Sequence, residues 1–79
     1  MDTLAARVAA NVRAAAGFRG VTQTDLARAL GTNQSTISHR YRGKQEWSLS
    51  ELDAVARFLR VRLEDLLLPR LDSNQQPSD

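Results

Sequence analysis

A chain of 79 residues with no cysteine, one histidine and a net charge of +2 leaves few possibilities open. It builds one small domain held by regular packing, with neither disulfides nor thiolate metal sites, and the lone histidine argues against zinc, so no cofactor is expected. No apolar run approaches the roughly 18 residues needed to cross a membrane, and no signal peptide opens the chain, so the expected location is cytoplasmic.

From residue 3 to 16, apolar side chains recur at Leu4, Ala5, Val8, Ala9, Val12 and Ala15 or Ala16. That is the i, i+3, i+4, i+7 spacing of an amphipathic helix whose apolar face reads as core. Asp2 or Thr3 can cap its start, and Gly17 is expected to end it. Arg7 and Arg13 fall outside the stripe. Phe18 to Val21 reads as a connector with Gly20 as its turn residue. Thr22, followed three residues on by Asp25, is close to a capping box. It opens a second helix over about 23–30, with Leu26, Ala27 and Leu30 inward. Gly31 follows, where a positive φ is often required. Thr32 is the expected cap of a third helix over about 33–42, with Ile37 and either Arg40 or Tyr41 inside.

In Trp47-Ser48-Leu49-Ser50-Glu51-Leu52, Ser48 and Glu51 form an S-x-x-E capping box, and Trp47 and Leu52 occupy the positions of a hydrophobic staple. Trp47 therefore reads as a packing residue rather than a base-stacking platform. The fourth helix continues to about Leu59, with Leu52, Val55, Ala56 and Leu59 inward. A fifth, over about 63–68, offers Leu63, Leu66 and Leu67. Glu64 and Asp65 lie in its first turn, where the helix dipole favours acids, and Pro69 stops it. Residues 70–79, RLDSNQQPSD, have no periodicity and read as a disordered tail, which leaves 1–69 as the folded domain. The expected fold is all-α, with five helices.

Catalytic constellations are missing. The sequence has no Gly-rich phosphate loop, no H-E-x-x-H and no nucleophile elbow. His39 has no evident base or nucleophile partner. Glu64 and Asp65 are adjacent on a helix, so their side chains diverge. An enzyme is not expected.

A binding case is stronger. Gln23 to Gly43 reads as two short helices around a glycine turn, the helix-turn-helix pattern in which the second helix enters the DNA major groove. Charge agrees: residues 3–44 carry seven cations against Asp25 alone, whereas residues 45–79 carry four arginines against seven acids. A basic half of this kind suits a polyanion. With Ile37 inside, Asn33, Gln34, Ser35, Ser38 and His39 remain for solvent or the groove. An amide such as Gln34 matches the N6 and N7 edge of adenine, and Ser and His reach several acceptors. Gln34 and Ser35, in the N-terminal part of the helix, are the first candidates. Gln23 opens the second helix, where free N–H groups can grip a phosphate. Arg42 and Lys44 follow the third helix as natural phosphate contacts, and Thr36 is placed in the same backbone-binding set.

These residues resemble a known family. Thr22 to Gly43, TQTDLARALGTNQSTISHRYRG, is similar to the Cro/XRE-type helix-turn-helix of phage and bacterial repressors, the lambda-repressor-like DNA-binding domain. The carrying features are Gly20, Thr22-Gln23, Leu26-Ala27, Leu30-Gly31, Gln34 to Ser38 and Arg42-Gly43, extended by Ser48-Leu49 and by Val61, Leu63 and Asp65 to Leu67. The resemblance covers roughly residues 4–68. It implies a five-helix domain that binds double-stranded operator DNA, usually as a homodimer. It also implies that Gln23 contacts phosphate, that Gln34, Ser35 and His39 read bases, and that Arg42 to Gln45 grip the backbone.

The chain departs from this pattern in places. Relatives often carry an apolar residue at the position of Arg40, Glu at that of Tyr41 and Arg at that of Ala16. Here that Arg–Glu pair is missing, so Tyr41 is expected to pack inward near Ala16 while Arg40 turns outward. Arg60 stands where a glycine is usual and Arg62 where a capping Ser or Thr is usual, so the fifth helix is expected to fray at its start. The implied protein is a phage Cro-like or immunity repressor acting in a bacterial host cell, on its nucleoid. Its dimer would use Leu66, Leu67 and Leu68. The alternative is an antitoxin that binds a toxin protein and its own promoter.

Overall fold

The computed structural model describes residues 3–69. Five helices follow one another: α1 (Leu4–Arg19), α2 (Gln23–Leu30), α3 (Gln34–Tyr41), α4 (Leu49–Leu59) and α5 (Leu63–Leu67). The all-α, five-helix expectation holds. The proposed tail at 70–79 lies outside the described residues.

The first four helices stop in the same way. A residue in the left-handed region lets the chain turn back, and two of its N–H groups satisfy carbonyls of the last turn. After α1 these bonds are Val21 N–H to Ala16 C=O (2.8 Å) and Gly20 N–H to Gly17 C=O (3.1 Å). After α2 they are Thr32 to Ala27 and Gly31 to Arg28, after α3 Lys44 to His39 and Gly43 to Arg40, and after α4 Val61 to Ala56 and Arg60 to Arg57. Glycine occupies the turning position three times, and Arg60 occupies it once, at φ 60°. Only glycine enters that region without a steric cost from Cβ.

Gly17 does not end α1. The helix runs on through Gly17 and Phe18 to Arg19, and the stop is Gly20. A single helical glycine costs only about 1 kcal/mol relative to alanine, which the three further helical residues, 17–19, and the closing motif at Gly20 offset. Phe18, expected in a connector, is thereby a helical residue left almost wholly exposed.

Helix starts follow side-chain chemistry. Thr3 Oγ1 accepts from Ala6 N–H, so Thr3 is the cap of α1. Thr22 and Asp25 exchange both bonds of a capping box, as do Ser48 and Glu51. The cap of α3 is Asn33 rather than Thr32: the helix starts one residue later, Thr32 still belongs to the turn that closes α2, and Asn33 Oδ1 accepts the Thr36 N–H. Arg62 has no acceptor with which to cap α5, but Asp65 accepts from the Arg62 N–H at 3.2 Å and holds that first turn.

The core gathers Val8, Ala9, Val12 and Ala16 from α1, Leu26 and Ala27 from α2, Ile37 from α3, Trp47, four residues of α4 and Leu66. The α4 contributors are the expected Leu52, Val55, Ala56 and Leu59, each at most 4% exposed. Trp47 lies inside with Leu52, as the staple requires. Leu4, expected on the apolar face, is instead largely exposed and rims a groove of about 150 Å³ shared with Trp47, Leu49 and Leu67.

α1 packs against α3, α4 and α5, and α2 packs against α3 and α4. Among the described residues one polar side chain is buried. Asn11, 2% exposed, donates from Nδ2 to the carbonyls of Leu66 (3.0 Å) and Leu68 (2.9 Å). It ties the middle of α1 to the end of α5, supplying a donor to the buried Leu66 carbonyl and to the part-buried Leu68 carbonyl at the helix end.

Candidate nucleic-acid interface

The helix-turn-helix is built from α2, the turn at Gly31 and α3. Leu26 and Ala27 hold α2 on the core, and Ile37, 1% exposed, holds α3. Tyr41, one turn beyond Ile37, packs against the same core from a half-buried position. Its burial pushes the phenol pKa up, and the nearby Arg13 guanidinium partly offsets this. The inward placement expected for Tyr41 is thus what the structure has.

With Ile37 and Tyr41 inside, the opposite edge of α3 is fixed. Gln34 and Ser35 are exposed at its N-terminus, and Ser38 and His39 are half-buried on its flank. Asn33 is exposed too, but its Oδ1 accepts the Thr36 N–H at 2.8 Å as the helix cap, which leaves only its amide donor free. Thr36 is half-buried, with its N–H committed to that cap. Gln23 is half-buried in the first turn of α2. Its N–H and that of Thr24 precede the first intrahelical bond of α2, from Leu26 to Thr22. The starts of α2 and α3 meet: Thr24 Oγ1 lies 3.4 Å from Gln34 Oε1. Thr24 was not foreseen as part of this edge, although its register beside Gln23 could have signalled it.

Beyond α3, Arg42, Lys44 and Gln45 are exposed on the turn around Gly43. A further cation joins them from another part of the chain: Arg13 of α1 donates from Nη1 to the carbonyl of Tyr41. A cation at a helix C-terminus complements the dipole. Twenty-eight positions separate the two residues, so no local pattern announces the contact.

Arg40 is placed differently from expectation. It does not turn outward. Its side chain is 16% exposed and makes a two-pronged contact with Glu51 of α4, Nε to Oε1 at 3.1 Å and Nη2 to Oε2 at 3.0 Å. The third prong, Nη1, donates to Gln45 Oε1. Glu51 can accept this because its capping-box duty to the Ser48 N–H leaves lone pairs free. The side-chain hydrogen bond from Arg40 is the main cause that lowers the Glu51 pKa, with the Ser48 N–H adding to it.

Leu66 also departs from expectation. At 1% exposure it is a core residue and is not available to a second chain. Leu67 is half-buried against the core, and Leu68 is exposed.

No helix among the described residues is long and apolar enough to cross a membrane. Residues 11–69 match the family model of the Cro/C1-type HTH DNA-binding domain. An uncharacterized HTH-type transcriptional regulator of Methanocaldococcus jannaschii is 35% identical over 51 residues, which cover 65% of this chain and 77% of that protein. The fold is similar to that of a hypothetical transcription factor from Neisseria, with a TM-score of 0.80, 31% identity, and 90% and 82% of the two chains covered. It is also similar to the clp gene regulator ClgR from Corynebacterium glutamicum, with a TM-score of 0.78, 28% identity, and 85% and 87% covered.

Proposed function

The chain belongs to the Cro/C1-type helix-turn-helix family and is the DNA-binding domain of a transcriptional regulator, and from that premise we propose that it is a repressor of the phage Cro-like or immunity type. It occupies operator DNA by inserting α3 into the major groove. The observation that carries this reading is the layout of α3: base-compatible side chains at one end, Gln34 and Ser35, and exposed cations just past the other, Arg42 and Lys44. Ser38 and His39 extend the reading edge, with the Asn33 amide at its margin. Gln23, Thr36 and Gln45 join the cations in gripping the phosphates, which fix register without carrying sequence.

The protein acts as a homodimer on two half-sites one DNA turn, about 34 Å, apart. The exposed Leu68 and the adjoining groove rimmed by Leu4, Leu49 and Leu67 support an apolar contact at α5.

Selection of bound duplexes from a random pool tests the reading. Enrichment of a two-fold symmetric site is expected. Gln34→Ala should then cost about 1–3 kcal/mol and relax preference at one base position, whereas Arg42→Ala should weaken all sequences alike and reduce the salt dependence. A pool that emerges unenriched, or a solution mass that stays monomeric on the selected site, refutes the reading or its dimer.

A further inference from the structure

The turn that carries Arg42, Lys44 and Gln45 has no regular secondary structure, yet it is fastened at both ends. Its start is folded back by Gly43 N–H to Arg40 C=O (3.2 Å) and Lys44 N–H to His39 C=O (3.0 Å). Its far end runs into the Ser48–Glu51 capping box of α4. One side chain spans the interval: Arg40 holds Glu51 with two nitrogens and Gln45 with a third.

We infer that Arg40 is the positioning residue of the phosphate-gripping turn, acting through Gln45 and Glu51 and not by touching DNA itself; this rests on the DNA-binding reading above. Three features support it. First, the guanidinium is 16% exposed and its charge is met by Glu51, so it offers little field to a phosphate. Second, a guanidinium only donates, so it binds the Gln45 amide by its oxygen and fixes which way the amide points. The exposed Gln45 then presents its NH₂ group, two donors, which suits a phosphate oxygen and not another donor. Third, Glu51 couples the turn to the start of α4, so the spacing between α3 and α4 sets the height of Arg42 and Lys44 above the recognition helix.

Counterion release separates positioning from contact. A cation that neutralises a phosphate contributes about 0.9 to the slope of log K against log salt, whereas Arg40 and the neutral Gln45 should contribute almost nothing to it. The test compares wild type, Arg40→Met, Glu51→Gln and Arg42→Ala on the selected duplex across a salt series, with folding checked by circular dichroism. Glu51→Gln keeps an acceptor for the capping box while removing the charge that anchors Arg40, so it serves even if Arg40→Met does not fold. Both variants should bind roughly five- to tenfold more weakly, the loss of about one hydrogen bond, with the wild-type slope retained. Arg42→Ala should reduce the slope. In the free protein, the Gln45 side-chain amide resonances should shift in both variants. Folded variants that bind at full affinity, a slope that falls in Arg40→Met, or Gln45 resonances that do not move would each overturn the inference. Wild type that binds no duplex would overturn the DNA reading itself, an outcome distinct from undiminished binding by the variants.

Discussion

Arg60→Gly should make the protein more stable. Arg60 closes α4 at φ 60° and ψ 45°, where α1, α2 and α3 use glycine. A side chain in this region costs about 1–2 kcal/mol, because Cβ crowds the following carbonyl. Glycine removes that cost but loses more freedom on folding, a penalty of about 0.4–1 kcal/mol. The Arg60 carbonyl keeps its bond from Arg19 Nη2 in the variant, because that acceptor belongs to the main chain. The net gain is about 0.5–1 kcal/mol, or roughly 2–8 °C in Tm for a domain of this size. Arg60→Ala is the control. It removes the charge, which lies close in sequence to Arg57 and Arg62, but leaves a Cβ in the same conformation. Thermal denaturation of the three proteins should place glycine above both arginine and alanine. If alanine gains as much as glycine, charge and not backbone strain is responsible, and the reasoning is refuted.

Asn11→Ala should destabilise by about 1–3 kcal/mol, because it strips two carbonyls at the end of α5 of their donor; urea titration measures it, and an unchanged midpoint would remove Asn11 from the frame. Asn11→Asp should cost more, since an acceptor would then face two acceptors. Gly17→Ala should stabilise by about 0.5–1 kcal/mol, because the residue is helical and an added Cβ meets nothing within 4 Å; a fall in Tm would contradict this. The folded Glu51 pKa lies below its ordinary 4.5, so its contribution is present in full above that value and is lost as pH falls through the lowered folded value. Stability of wild type should therefore drop more steeply on acidification than that of Glu51→Gln, and parallel acid limbs would refute the assignment.

What the sequence made legible was local. Thr22 with Asp25, and Ser48 with Glu51, mark helix starts because the capping partners sit three residues apart. The inward set of α4 follows from a periodicity sustained over three turns. What it concealed was either long-range or finely balanced. Gly17 looks like a stop because the true stop, Gly20, is only three residues later and a single helical glycine is cheap. Asn11 sits inside an apolar stripe as an unremarkable polar residue until α5 arrives with two carbonyls. Periodicity leaves Arg40 and Tyr41 as alternatives for the inner face, and the inward contact of Arg40 escapes it because Glu51, its partner, is eleven positions away on another helix. Leu66 could not be separated from Leu67 and Leu68 because a five-residue helix is too short to establish a period. Within the candidate site, residue types pointed to the reading edge and the cations, but the Gln45 orientation and the arrival of Arg13 depend on tertiary contacts.

The tie from Asn11 to the end of α5 has a consequence for how this protein can change. It closes the domain on itself between elements far apart in sequence, so the chain between them is an insert whose ends are already fixed. That insert holds the helix-turn-helix, which gives only Leu26, Ala27 and Ile37 to the buried core. Gln34 and Ser35 are exposed, and Gln34 touches the frame only through the long contact from Thr24 Oγ1. Scaffold and address are therefore separable: exchanging the outward residues at the start of α3 leaves the frame intact, and a new specificity can be written there without the chain having to learn a new way to fold.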